Sequence, residues 1–341
     1  MLDLDTFLTI LYVVIDDWYK QDVAHQKPIR CGQPPTMSDS EVLTVMIAGQ
    51  WRVGVPWQSE RGVVRYMDRH GRHWFPTMLQ RSGFNQRVRD LCGVLAALQR
   101  YFGQAGSAGE TVYEVGDGLP LPVCSLGQAL REPHRWLMPT SRGHGGNHGG
   151  WFFGQRWWVS VTSEGAMTGW LVADAFLSER WVLEALLSER GGDGELRGPA
   201  VDHRVARAAR PLPTTGFIGG QFAAGKYTPG PYLVDRGLKG GRWLQHWAAA
   251  YAAEVIAIPP ANSADFQRWT RQDCRWHATH RQIIEGVYAI MTEVFGIKRV
   301  NAHSQWGQYT RLAAKAAAYN LGLYLNRLLN RPLGAMATLI C

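Results

Sequence analysis

Residues 152–173, FFGQRWWVSVTSEGAMTGWLVA, place aromatic and β-branched side chains on both sides of the turn Ser163-Glu164-Gly165. Such runs around a short polar turn predict a β-hairpin, with strands over 152–161 and 166–173. On its amino-terminal side, 111–115 is another extended run. On the other side the sequence predicts a helix over 178–188, a short strand at 232–234 and a helix over 240–253. A strand at 255–258 then stops at Pro259-Pro260, and two long helices follow. Three strands in succession, then alternating helices and strands, imply an α/β layering with one mixed sheet. Trp157, Trp158 and Trp170 on the hairpin read as packing.

The first third is different. Leu4, Phe7, Leu8, Leu11, Ile15 and Trp18 recur at steps of three and four, the stripe of a helix with one buried face. After Pro34-Pro35, Ser38 and Glu41 stand in capping-box relation and open a helix through about Gln50. Further helices are expected over 60–68 and 85–101, separated by Gly71 and Pro76. The small-residue run 103–109 then marks a boundary, giving an all-helical domain over 1–105 and a second domain over 106–341. Two stretches, 143–150 (GHGGNHGG) and 191–230, lack periodicity and read as mobile loops. His144 and His148 sit in the first of these, where flanking glycine offers no rigid metal geometry.

The 341 residues carry 36 Lys plus Arg against 28 Asp plus Glu, a formal charge of +8. Much of the excess is in one segment. Arg52, Arg61, Arg65, Arg69, Arg72, Arg81, Arg87, Arg89 and Arg100 fall within 49 residues that hold only Glu60, Asp68 and Asp90 as acids. Arginine forks onto phosphate oxygens, so the first eight of these, with Arg281 further on, are the candidate nucleic-acid contacts. Five cysteines, Cys31, Cys92, Cys124, Cys274 and Cys341, form no C-x-x-C pair and indicate neither a zinc knuckle nor a disulfide framework. An acidic amino terminus and the lack of a long apolar run imply no export signal and no membrane span, hence a cytoplasmic protein.

Three acids stand at positions suited to chemistry. Asp117 is expected just past the first strand, in VGDGLPLPVC (115–124), and Asp235 at the end of a later strand, in YLVDRG (232–237). The carboxyl ends of strands are where α/β sheets gather their sites. Glu285 borders the buried stripe of a helix, four residues after Arg281, which can orient the carboxylate or meet a phosphate. Asp174, at the end of the third strand, reads as structural.

The order strand-Asp, strand-Asp, helix-Glu, with 117 and 49 intervening residues, resembles the DDE site of RNase-H-like transposases. The local strings are most similar to insertion-sequence family 982. The D-x-x-P-L-P-V-C string is matched by Asp117–Cys124, the hydrophobic-Asp-basic-Gly string by Leu233–Gly237, and the R-x-x-I-E type helix loosely by Arg281–Glu285. The likeness includes the helix start Met37–Val42 and covers most of the chain. It implies an RNase-H-like mixed sheet flanked by helices, joined to an amino-terminal DNA-binding domain. It also implies two Mg²⁺ or Mn²⁺ ions on Asp117, Asp235 and Glu285, about 3.5 to 4 Å apart, that neutralise a phosphodiester under attack. Water and then a freed 3′-hydroxyl would be the nucleophiles, with no protein-linked intermediate. Partners implied are double-stranded DNA, as terminal inverted repeats and target, and a second copy of the chain, in a bacterial nucleoid. The chain departs from the pattern in its enlarged loops near 125–150 and 191–230. Thr292 and Glu293 stand where related families place a basic residue, and Lys298 and Arg299 follow later. Two alternatives remain open: a transposase-derived DNA-binding protein without catalysis, and a nuclease of the same fold that cuts without joining.

Overall fold

The computed structural model describes residues 1–26, 35–107, 112–131, 140–145, 150–191, 217–222, 231–300, 302 and 304–341. Cys31, His148 and most of the stretch 191–230 lie outside the described residues. The chain is mixed α/β and divides into two compact units.

The first unit comprises Met1–Gly106, Ala289–Ala302 and Trp306–Cys341. It is helical, with α1 (Leu4–Asp22), α2 (Asp39–Ala48), α3 (Glu60–His70), α4 (Arg81–Asp90) and α5 (Cys92–Ala105). The stripe foreseen on α1 is buried at Phe7, Leu8, Leu11, Ile15 and Trp18. The capping box at Ser38 and Glu41 is formed on both sides. The helix expected over 85–101 is two helices, because the chain turns at Leu91. The boundary falls at Gly106, but the carboxy-terminal α11 (Gln305–Leu328) belongs to this first unit from Trp306 onward. From Leu312 to Leu323 every residue of α11 is buried, the pattern of a helix enclosed on all sides. Leu2 pairs with Ile340 and so closes the unit from both chain ends.

The second unit, Ser107–Tyr288 for nearly all its length, holds the sheet. Its strands are β1 (Glu114–Cys124), β2 (Ser141–His144), β3 (Trp151–Thr162), β4 (Met167–Asp174), β5 (Phe217–Phe222), β6 (Tyr232–Leu233) and β7 (Val255–Ile256), in the order β5-β4-β3-β1-β6-β7, with β2 beside β3. β1, β3, β4 and β5 are successively antiparallel, whereas β6 and β7 run parallel to β1. The sheet is therefore mixed, as its sequence implies. Trp157, Trp158 and Trp170 are fully buried and pack the hairpin. Helices α7 (Glu179–Gly191) and α8 (Gly241–Tyr251) share a core with the sheet built on Leu183, Leu186, Tyr232 and Trp247. Inside it, buried Glu184 accepts from Trp247 Nε1 at 2.8 Å and Tyr251 Oη at 2.7 Å, which pins α8 to α7. The short α6 (Leu126–Arg131) follows β1, and α9 (Arg271–Arg281) and α10 (Ile283–Glu293) follow β7.

Three local expectations change. Asp117 lies inside β1, not past its end, since the strand continues through Cys124. Pro120 and Pro122 lie within the strand, and β1 pairs with β6 only at Glu114 and Val115. Beyond these the β6 side of β1 is an open edge, where a proline's missing N–H is tolerated. Residues 141–144, partly inside the glycine-rich stretch read as a loop, form β2, and 217–222 form β5. Backbone pairing to β3 and β4 stabilises these segments where side-chain periodicity gives no signal. Among the described residues no helix is long and apolar enough to cross a membrane.

Candidate active site

The parallel pairing of β1 with β6 sets Val115 opposite Leu233. Asp117 and Asp235 each lie two positions further on, Asp117 still within β1 and Asp235 just past the end of β6, so the two acids come near one another. Asp235 opens a 3₁₀ turn (Arg236–Leu238), which takes the chain away from the sheet and leaves its side chain half exposed. Asp117 is more sheltered, at 20% exposure.

The third expected acid arrives from the helices. A capping box at Thr270 and Asp273 starts α9, which ends at Arg281, and after Gln282 the chain re-enters a helix as α10. The single helix expected around Glu285 is thus broken just before it. Arg281 Nη2 lies 3.0 Å from Asp117 Oδ2 and 3.7 Å from Asp235 Oδ1, while Nη1 lies 3.5 Å from Glu285 Oε1. Three acids remote in sequence therefore meet around one guanidinium. Glu285 is its outermost partner, 61% exposed.

The structure adds groups that sequence reasoning did not pick out. Glu179, the first residue of α7, pairs with Arg156 of β3 at 2.7 Å. Burial raises its pKa, against the effect of Arg156, and the charge of Asp235 raises it further. Gly118 gives the Arg156 stem its path, since a Cβ there would fall 2.6 Å from Arg156 Cδ. Tyr288 Oη donates to the backbone carbonyl of Asp117 and fixes the strand at that residue. One sequence signal was available: Arg156 is a charge within an otherwise aromatic strand.

Four carboxylates thus face two guanidiniums, a surplus of negative charge in a sheltered place. Burial pushes the Asp117 carboxyl up to about 6; Arg281 and the Gly118 N–H oppose the shift, and Glu179 and Asp235 add to it. Hard carboxylate oxygens with excess negative charge are the donor type that Mg²⁺ and Mn²⁺ take. Their spacing is set by the arginine, however, and among the described residues no three His, Cys, Asp or Glu side chains are close enough to share an ion. As placed, with Arg281 between them, the acids form no cation site.

The remaining candidates divide by environment. Arg87 is paired with Asp39 and Arg72 with Asp68, and Arg89 bonds to Gln86. Arg87 is therefore structural. On α3, Arg61, Arg65 and Arg69 recur at steps of four and form an exposed row. Arg52, Arg61 and Arg81 line one cleft of the first unit. Asp174 accepts from Ser141 Oγ and joins the ends of β2 and β4. His144 packs its ring against Trp151. Cys92, Cys124, Cys274 and Cys341 are free thiols. The sequence matches no protein-family model and no curated protein, and the fold matches no solved structure.

Proposed function

We propose that the chain is a DNA transposase of the DDE type, with an RNase-H-like catalytic unit that cleaves and joins phosphodiesters and a helical unit that binds terminal inverted repeats. The observation that carries this reading is the meeting of Asp117, Asp235 and Glu285 around Arg281. Asp117 reaches it from β1 and Asp235 from just past the end of the neighbouring parallel strand β6, in a mixed sheet flanked by helices, and the glutamate comes from a later helix. Divalent ions on these three acids would supply Lewis-acid neutralisation of the phosphodiester and an activated oxygen nucleophile.

The chain's own groups have definable tasks in that chemistry. Arg281 keeps the carboxylates apart from one another and compensates their charge before DNA arrives. Among the described residues its buried Nε–H has no hydrogen-bond partner and is left to donate to a phosphate oxygen. Tyr288 holds the Asp117 backbone, and the pair Arg156–Glu179 borders the two aspartates. The arginine held among the acids also favours a second reading, a transposase-derived DNA-binding protein without catalysis.

The test is incubation of the purified protein with DNA that carries its reading frame and both flanks, in Mg²⁺ or Mn²⁺. Cleavage at the flanks and joined products are expected. Asp117→Asn, Asp235→Asn and Glu285→Gln should each reduce both by about a hundredfold or more. Equal cleavage by Asp117→Asn overturns the assignment. Cutting without joining makes the chain a nuclease, and binding without cutting by the folded protein makes it the non-catalytic binder.

A further inference from the structure

The first unit contains an open cleft of about 720 Å³ whose walls come from three separated stretches of chain. Arg52, Arg61 and Arg81 come from the amino-terminal helices and their connections. Lys298 and Arg299 come from the turn after α10, and Arg311 and Lys315 from two successive turns of α11. Against these seven cations the cleft holds two acids, Glu60 and Glu293. Glu60 is already engaged by Arg311 Nε at 2.9 Å. Among the described residues, Arg61, Arg81, Lys298 and Arg299 make no side-chain ion pair or hydrogen bond, so their charge is uncompensated.

The cleft's floor is buried. Lys315 is 2% exposed and donates from Nζ to the Phe295 carbonyl. Arg52 is half-buried against the carbonyls of Gly49 and Trp51, and Arg311 Nη1 donates to the Val300 carbonyl at 3.0 Å. Burial lowers the pKa of both Lys315 and Arg52, and the charges of Arg52 and Arg311 lower that of Lys315 further. Cations gathered without matching acids repel one another and lose hydration, a cost that an incoming polyanion relieves. Carbonyls orient the inner cations, and the outer ones keep donors free.

We propose that this cleft is a phosphate-binding site that grips consecutive backbone phosphates of one DNA strand. The residues Lys298, Arg299, Arg311 and Lys315 then join the amino-terminal arginines in one contact surface. A cube of 720 Å³ is about 9 Å on a side, wide enough for one phosphate and its neighbour along a strand. The choice of DNA as the source of phosphate rests on the proposed function, whereas the phosphate chemistry follows from the cleft itself. The same donors would also accept a free polyphosphate.

The experiment measures binding of the full chain to a labelled duplex by fluorescence anisotropy across a salt series, without divalent ions. It is therefore independent of cleavage at the acids. The double variant Lys298→Ala/Arg299→Ala changes exposed side chains and is compared with Lys20→Ala, an exposed lysine of α1 paired with Asp16. Loss of two phosphate contacts flattens the plot of log affinity against log salt by about 1.8, with Lys20→Ala unchanged. Circular dichroism verifies the fold, and Lys298→Arg/Arg299→Lys, which keeps both charges, restores the slope. Tripolyphosphate, added as competitor, displaces the duplex from the wild type and less readily from the double variant. If the double variant loses tripolyphosphate binding but keeps wild-type duplex binding, the DNA assignment is overturned in favour of a free polyphosphate. Unchanged slope and unchanged competition overturn the site altogether. Either result leaves the carboxylate site to its own test.

Discussion

Asp117 is the residue whose environment is most at odds with its charge. Its carboxyl is pushed up to about 6 by burial, above the ordinary 3.8. Below about pH 3 it is protonated in both folded and unfolded chains and contributes no difference. As pH rises towards 6 the unfolded chain releases the proton first, so the folded state loses stability, by up to about 3 kcal/mol above pH 6. Asp117→Asn should therefore leave the denaturant midpoint unchanged at pH 3 and raise it at pH 7.5. A midpoint lowered equally at both values would show that the ion pair with Arg281 outweighs burial. Arg281 invites the converse experiment. Its guanidinium stands 3.0 to 3.7 Å from three carboxylates, and removing it deletes a positive charge where a divalent ion would sit. Arg281→Ala should tighten Mn²⁺ binding about tenfold or more, measured by calorimetry on the DNA-free protein. Weaker binding would mean that the arginine organises the acids and does not compete for their place. The two aspartates stood out in the sequence because each lies in a short distinctive string, and Glu285 joined them by its order and spacing, in a string matched only loosely. Glu179 and Arg156 did not, because strand pairing and a helix start bring them to the same place from separate stretches of chain.

Elements show where local reading succeeds and where pairing overrides it. The stripe of α1, the capping box of α2 and the hairpin of β3 and β4 are governed by interactions within a few residues, and each could be read directly. The course of β1 could not, because its prolines are acceptable only at an edge that exists once β6 has diverged. Near the bulge after Pro122, Gly154 of β3 faces β1 so closely that a Cβ would fall 2.1 Å from the Leu121 carbonyl oxygen. The obstacle is backbone, which cannot rotate aside. Gly154→Ala should cost about 2 to 4 kcal/mol, seen as a lower urea midpoint. Gly93, in the first turn of α5, supplies the contrast, since a Cβ there would meet nothing within 4 Å. Gly93→Ala should stabilise by about 0.5 to 1 kcal/mol through reduced unfolded-state entropy and better helix propensity. Equal effects at the two glycines would refute the close approach of the Leu121 carbonyl to Gly154.

At the scale of the whole molecule, the helical unit is assembled from both ends of the chain, which local periodicity does not encode. The amino-terminal helices leave apolar side chains that need cover: Trp51 packs edge-on to Phe295 at 4.9 Å, and Phe102 stands 5.0 Å from Tyr324. Backbone and side chain join the same pieces, with Arg52 N donating to Val294 O at 2.8 Å and buried Asn320 Nδ2 to Gln99 O at 2.9 Å. Without residues 289–341 these polar groups would lose their partners, and Trp51 and Phe102 would lose the cover of Phe295 and Tyr324, each large side chain at roughly 1.5 to 3 kcal/mol. That sum is comparable with the whole stability of a domain of this size, about 5 to 15 kcal/mol. A protein of residues 1–106 alone is thus expected to melt without a cooperative transition. Fusing residues 289–341 to it through a flexible linker should restore a sigmoidal thermal transition in far-ultraviolet circular dichroism. A cooperative transition in the short fragment would mean that its five helices form a core of their own, with α11 an addition to it. Because Arg311 and Lys315 reside on that helix, the same comparison bears on the cleft: the fused protein should bind tripolyphosphate and the short fragment should not.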